Sequence, residues 1–120
     1  MLGVNERTLT WAGSLSETFA RIVSLLDSNE VRISEHGYDE LADDGITVDD
    51  VLAGVKNGTV VEDNPDFPKG PCVLVLRFDD TSRPFHAVWI PKGHSTPAVL
   101  ITAYRPDPNR WNETFTERRK

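Results

Sequence analysis

The spacing of apolar and polar positions changes once along the chain. Residues 1–13 have no clear period, and from residue 14 to about residue 58 most apolar residues recur every three or four positions, which is the spacing of an amphipathic helix. Beyond that point they alternate with polar residues, which is typical of strands that bury one face. The pattern therefore predicts helices first and a sheet afterwards.

The first predicted helix is "SLSETFARIVSLLDS", residues 14–28, in which Ser14 and Glu17 have the spacing of a capping box. Its apolar residues form one stripe, which we expect to pack in the core, with a partner chain as the alternative. The stripe consists of Leu15, Phe19, Ile22, Val23 and Leu26. The following "EVRIS" alternates in the manner of a brief strand.

Two short helices joined by a tight turn are predicted next. The stretch "SEHGYDELADDG" begins at Ser34 and ends at Gly45. In "ITVDDVLAGVKNG", Thr47 and Asp50 again have the spacing of a helix cap, and Gly58 is expected to end the helix.

Four strands with short connections complete the pattern. They are predicted at "TVVED", "CVLVLRFDD", "FHAVWI" and "AVLITAYRP". The three prolines of the loop "NPDFPKGP" exclude regular strand pairing between the first two. The third strand places His86 in phase with Val88 and Ile90. The predicted faces of the fourth strand carry Val99 and Ile101 on one side, and Leu100, Thr102 and Tyr104 on the other.

This order predicts an α+β fold, with N-terminal helices followed by an antiparallel sheet of about four strands. We interpret residues 1–30 as an N-terminal extension with one amphipathic helix, and residues 31–120 as a single α+β domain. In the tail "DPNRWNETFTERRK", Trp111 and Phe115 are expected to pack back on the domain before the chain frays.

The composition is that of a soluble globular domain, with 38% hydrophobic and 27% charged residues in 120. No apolar run approaches the roughly 20 residues of a membrane span, and the N-terminus lacks a secretory signal. We therefore expect a cytoplasmic protein without membrane association. The single cysteine, Cys72, excludes an internal disulfide and is expected to be a small buried hydrophobe.

Charge is unevenly distributed along the chain. Residues 27–80 contain 14 acidic and 4 basic residues, a net charge of −10, whereas residues 81–120 contain 3 acidic and 7 basic residues, a net charge of +4. An overall acidic chain argues against a general nucleic-acid binder, which usually has a basic stripe. A solvated acidic helical face and a basic tail are the simpler interpretation.

Standard catalytic motifs are absent, and the three histidines are far apart. His36 lies in the first turn of its helix, where the helix dipole favours the neutral imidazole of a general base. The alternative is a partly exposed histidine without a chemical role. His86 either reaches a cleft or is a satisfied core residue, and His94 is expected in an exposed turn. No metal or other cofactor is predicted.

The stretch "AYRPDPNRW" contains a different kind of candidate site from the histidines. It places a phenol and two guanidinium groups at a strand end and in the loop that follows. Tyr104, Arg105 and Arg110 could together bind a phosphate or a carboxylate. Alternatively, Arg105 pairs with an acid of the helical half, while Tyr104 and Trp111 close the edge of the core.

From about Val31 to Trp111 the chain resembles an uncharacterised bacterial family of unknown function, through the order of five stretches. They are "RISEHGYDEL", "DGITVDDVLAGVKNG", "VVEDNPDFPKGPCVLVL", "RPFHAVWIPKG" and "VLITAYRPDPNRW". In its layout of helices followed by a sheet, that family resembles the compact ribonucleases and toxins of the RelE and barnase type.

The resemblance implies a metal-independent ribonuclease with an RNA substrate or an antitoxin-like protein partner. The histidine of the family's first helix falls on His36, its strand histidine on His86, and its "TxY" strand end on Thr102 and Tyr104, while Arg105 would stabilise the phosphorane. A base and an acid would move the protons of the 2′-hydroxyl and the leaving oxygen.

One position departs from the family pattern, because Glu40 stands where an arginine is expected four residues after His36. Two hypotheses therefore remain open: a toxin-like ribonuclease, or a non-catalytic module that binds a protein or an anion. A homodimer is possible in either case. Convergence of His36, His86 and Arg105 on one site favours the enzyme, and placement on opposite faces of the sheet counts against it.

Overall fold

The computed structural model describes residues 16–68, 70–91 and 97–119, in which the helices precede most of the sheet. The elements are α1 (Glu17–Asp27), β1 (Val31–Ile33), α2 (Glu35–Asp44), α3 (Val48–Leu52), a 3-10 turn (Val55–Asn57), β2 (Thr59–Asn64), β3 (Cys72–Phe78), β4 (Pro84–Pro91) and β5 (Ala98–Tyr104). The predicted α+β class is confirmed. None of the helices in these ranges is long and apolar enough to cross a membrane.

The sheet has five strands in the order β1-β5-β4-β3-β2. Strands β2 to β5 form the predicted antiparallel meander. The fifth strand, β1, runs parallel to β5 at the edge, so the sheet is mixed and not purely antiparallel. With only three residues, β1 gives a weak pattern in the sequence, and its direction depends on backbone pairing with a strand about 67 positions later.

Two predicted N-caps and one predicted helix end are confirmed. Ser34 accepts a hydrogen bond from the backbone of Gly37 at 2.9 Å, and Thr47 accepts one from Asp50 at 3.0 Å. Gly45 ends α2 in the left-handed conformation, φ 65°. Helix α1 is capped by Ser16, which accepts from Phe19 at 3.0 Å, while the predicted cap Ser14 lies outside the described residues.

Helix α3 is shorter than predicted, because Gly54 takes a left-handed conformation, φ 63°, before the predicted end at Gly58. The chain continues as a 3-10 turn. The guanidinium of Arg77 on β3 donates to the backbone carbonyls of Val51 and Ala53. This side chain satisfies carbonyl groups that the early end of the helix leaves without partners.

The described helices pack on one face of the sheet, which we call the inner face. Its core is built from apolar residues of the helices and from alternate residues of the strands. It comprises Ile22, Leu41, Ile46, Val51, Val55, Val73, Val75, Phe85, Ala87, Trp89, Ala98, Leu100 and Ala103. Ile22 is fully buried there, and Phe19 and Leu26 pack against the same core, so the described part of the stripe packs on its own domain, as predicted. Leu15 of the stripe lies outside the described residues.

The opposite face, which we call the outer face, carries the other half of the strand residues. The pairing of β5 with β4 contains a one-residue bulge. Thr102 pairs with Val88 and Leu100 with Trp89, so Ile101 has no partner in the register. Leu100 and Ala103 therefore both face inward, and the predicted grouping of Leu100 with Thr102 and Tyr104 is wrong. A bulge of one residue reverses the alternation on one side of it.

We predict that Ile22→Ala lowers the free energy of unfolding by about 2–5 kcal/mol, because the substitution leaves a cavity between α1 and the sheet. Chemical denaturation monitored by circular dichroism measures it. Ser24→Ala, on the exposed side of the same helix, is the matched control and should change the stability by less than about 0.5 kcal/mol. Equal effects of the two variants would show that α1 does not contribute to this core.

Candidate functional site

His86 and Tyr104 form a pair on the outer face, at adjacent positions of β4 and β5. The register places the two residues opposite each other, and Nδ1 of His86 lies 3.3 Å from the Tyr104 hydroxyl. On its other side, Nε2 of His86 lies 2.9 Å from the backbone carbonyl of Phe115. The imidazole thus has a protein partner at each nitrogen, and its residue is 0% exposed.

These contacts define the tautomer of His86. A carbonyl oxygen only accepts, so Nε2 carries the hydrogen and donates to Phe115. In the neutral ring Nδ1 is then an acceptor, and the Tyr104 hydroxyl donates to it. Burial lowers the pKa of His86, although the Phe115 carbonyl opposes the shift, and burial raises the pKa of Tyr104. Both groups are therefore neutral near pH 7, as this hydrogen bond requires.

The cover over His86 is the tail segment, which we define as residues 106–119. Its Trp111 is 3% exposed, and the indole meets the imidazole edge to face with ring centroids 4.4 Å apart. The predicted packing of Trp111 on the domain is confirmed, and the expected fraying is not found up to Arg119, whose backbone donates to Arg110 at 2.8 Å.

An ion pair closes the far end of this cover. Arg118 donates to both carboxylate oxygens of Glu62 on β2, at 2.6 and 3.2 Å, and its guanidinium also lies over the Trp111 ring at 4.7 Å. Glu62 raises the pKa of Arg118 further. The tail segment therefore crosses the outer face from β5 to the opposite edge strand.

A shallow groove of about 190 Å³ remains beside the cover. Its walls are apolar at β3 and β4 and polar at the edge, and they consist of Glu62, Asn64, Cys72, Val73, Leu74, Val88, Tyr104 and Arg118. Cys72 is half-buried in this wall and not fully buried as predicted. The cation of the groove, Arg118, is already held by a carboxylate, so the groove offers no free positive charge to an anion.

Arg105 points away from this groove and joins the end of α2 to the turn between β3 and β4. Its guanidinium donates to Asp79 at 2.8 Å and to the backbone carbonyl of Pro84 at 3.1 Å, and its own amide donates to the Asp44 carboxylate at 2.8 Å. Hydrogen bonds from Arg83, Thr81 and Arg105 hold the pKa of Asp79 well below its usual range. The alternative reading of Arg105 as a structural residue fits this geometry, although its ion-pair partner lies in a turn and not in the helical half.

His36 lies on the exposed side of α2, a helix that packs on the inner face. Among the described residues, its side chain has no hydrogen bond or ion pair. Glu40 stands one turn further along the same helix. Thr102 is half-buried on the outer face, and His94 lies outside the described residues.

The structure therefore brings together only two of the four predicted catalytic residues. His86 and Tyr104 are in contact, but His36 lies on the helical side of the sheet and Arg105 is bound to Asp79 and backbone carbonyls. The predicted cleft of four residues does not form. Within the described ranges there is also no group of three or more histidine, cysteine or acidic side chains able to hold a metal ion.

Three further residues that organise this region were not predicted from the sequence. Glu62 and Arg118 are 56 positions apart, and Asp79 lies in a turn with ordinary polar composition. No local pattern identifies such pairs, because each depends on how strands and tail meet in space. The one usable signal was the isolated Trp111 and Phe115 in a charged tail.

These features define a class: an α+β domain with one helical layer and with an outer sheet face covered by a tail. Residues 33–105, more than half of the chain, match the family described as "Domain of unknown function (DUF4258)". The chain belongs to this family, as the resemblance in the sequence had suggested. The matched region ends at Arg105, so the tail segment lies outside it. Among curated proteins no match is found, and among solved structures none is found either.

We predict that stability declines as the pH falls below 6.5, the ordinary value for histidine, because the unfolded chain then binds a proton that folded His86 binds only at lower pH. Above pH 6.5 both states are neutral, and this group contributes no pH dependence. The slope contributed by one proton is at most about 1.4 kcal/mol per pH unit. Urea denaturation at pH 7.5, 6.5 and 5.5 measures it.

His86→Gln should flatten this dependence, because glutamine can still donate to Phe115 but does not titrate. Ser24→Ala, an exposed substitution that removes no titratable group, is the control and should leave the dependence as in the wild type. An unchanged slope in His86→Gln would contradict the burial of a neutral imidazole.

Proposed function

We propose that this chain is a non-catalytic protein-binding module, and that its partner is a basic protein segment that docks on the exposed face of α2. The observation that carries the proposal is Tyr38, which is 53% exposed in the middle of an acidic helical surface. The four predicted catalytic residues support the binding hypothesis indirectly. In the structure they are separated from one another or already bound to other groups of the protein.

The separation matters because general acid–base chemistry needs its groups within hydrogen-bonding reach of one substrate position. Both nitrogens of His86 are bound to the protein, and the guanidinium of Arg105 is bound to Asp79 and to carbonyls. His36 is exposed but has no second catalytic group among its described contacts. This arrangement favours the binding hypothesis over the ribonuclease hypothesis.

The exposed face of α2 has the character of a small protein interface. Tyr38 presents an aromatic ring with a polar tip, a residue type enriched at the energetic centres of interfaces. Ala42, one turn further along, is exposed and small, which leaves space beside the ring. Glu35, Asp39 and Asp43 are exposed around it and form an acidic rim.

The charge of this face selects the class of partner. It repels the phosphates of RNA and DNA, since residues 27–80 carry a net charge of −10. A free anion is disfavoured for the same reason. A protein segment rich in lysine and arginine, with an apolar residue to contact Tyr38, complements both the charge and the ring.

We predict that the purified chain does not cleave labelled RNA above the buffer background when EDTA is present. Gel analysis of several single-stranded and hairpin RNAs measures this, with a known ribonuclease as the positive control. His36→Ala and Tyr104→Phe should give the same background as the wild type. Cleavage by the wild type that is lost in either variant would overturn the proposal and restore the ribonuclease hypothesis.

We predict that Tyr38→Ala weakens binding of a fluorescent 15-residue peptide of arginine, lysine and leucine by about tenfold or more, because an interface tyrosine contributes about 2 kcal/mol or more. Fluorescence anisotropy at physiological salt measures the change. An acidic peptide of the same length should not bind.

Phe67→Ala is the matched control, because Phe67 is 49% exposed, lies beside the acidic Asp66 and belongs to a different surface. It should change the affinity less than about twofold if the proposal is right. Equal losses in both variants would mean that the peptide binds by charge alone and that α2 is not the docking face.

A further inference from the structure

We infer that the outer face and the tail segment form an exchangeable interface, and that the tail segment of a second copy of the chain can occupy the outer face in place of the chain's own. The result is a dimer with two reciprocal, identical interfaces. The inference is independent of the α2 surface and goes beyond the proposed function.

The tail segment has several hydrogen bonds of its own. Trp111 and Arg118 form a β-bridge, and the backbone of Asn112 donates to Glu117 at 2.9 Å. The Asn112 side chain also accepts from the backbone of Thr116 at 2.9 Å. These bonds lie within the segment and do not involve the sheet, so an exchange between chains does not require them to break.

Its attachment to the sheet is made by side chains, with a single backbone group involved. The contacts are the Trp111 ring on His86, the Phe115 carbonyl on Nε2 of His86, and the pair of Arg118 with Glu62. In the described part of the chain, no backbone–backbone hydrogen bond joins residues 106–119 to a strand. Such an attachment can be released and remade without disturbing the sheet.

The connection between sheet and segment is short and has a fixed starting point. Arg105 is held to Asp79 and Asp44, and Pro106 and Pro108 lie within the next three positions. A turn at Asp107, whose backbone carbonyl accepts from Arg110 and Trp111, directs the segment back over its own sheet. If this turn opens, the restricted φ angles of the prolines project the segment away from the domain.

A second copy is the partner that fits this face best. An uncovered outer face exposes the imidazole of His86, which is 0% exposed now, beside the apolar Leu76 that is its register partner on β3. The tail segment supplies the matching indole, carbonyl and guanidinium, and an identical chain offers all three in the same arrangement. Exchange of identical elements preserves every contact and alters only the connection, which makes it an accessible route to dimers.

The Glu62–Arg118 pair allows a direct test by complementary charge reversal. Glu62→Arg and Arg118→Glu each place like charges together within one chain. When the two variants are mixed, exchange restores an opposite-charge pair at both interfaces. We predict that the mixture dimerises with an association constant about tenfold or more above that of either variant alone, measured by sedimentation equilibrium.

The double variant Glu62→Arg/Arg118→Glu is the matched control, because it restores the pair within one chain and should behave as the wild type. Circular dichroism of each variant establishes that it is folded. A mixture of folded variants that stays monomeric at the concentrations tested would overturn the inference.

A second variant keeps the test decisive if a charge reversal prevents folding. Deletion of Pro108 and Asn109 removes the turn, so the segment cannot return to its own sheet but can still reach a second copy. We expect this variant to be a dimer in which Trp111 remains shielded, as measured by its fluorescence. A folded monomer with an exposed Trp111 would contradict exchange.

Discussion

A single β-sheet has two faces, and the helices among the described residues cover only one of them. The three helices cover the inner face, where a continuous apolar core forms around Phe85, Trp89 and Leu100. The outer face contains Leu74 and Leu76, which are too apolar to remain in water without cost. On the same face, the tail segment packs its Trp111 indole against the imidazole of His86. The tail segment buries His86 and supplies Arg118 to the wall of the groove.

Arg105 connects the helical layer to the sheet, at the position directly before the tail segment begins. Its contacts with Asp44, Asp79 and Pro84 join the end of α2, the turn after β3 and the start of β4. A planar guanidinium with five donors suits such a junction of carbonyls and a carboxylate, and lysine would satisfy fewer of them. The same donor geometry makes arginine attractive as a phosphate ligand in a sequence. Here the folded chain already supplies the acceptors.

The sequence was most informative where structure is decided locally. Caps at Ser34 and Thr47, the stop at Gly45, the meander and the core stripe of α1 follow from spacing alone, and the structure contains each of them. Failures occurred where distant residues decide the outcome. The bulge at Ile101, the parallel pairing of β1 and the pair of Glu62 with Arg118 depend on contacts across 50 or more positions or on a single extra residue. For the site, the contact of His86 with Tyr104 could be anticipated only from the two strands that carry them.

The cover also explains why a histidine in this row need not be catalytic. A histidine on an uncovered sheet surface is available to a substrate. His86 instead lies beneath Trp111, and both of its ring nitrogens are hydrogen-bonded within the protein. Because burial lowers its pKa, the imidazole is neutral and its hydrogen bonds have a fixed direction. Such a residue fixes the geometry between sheet and cover. Under the binding function that we propose, recognition falls to a surface that the fold does not use internally, the acidic face around the exposed Tyr38.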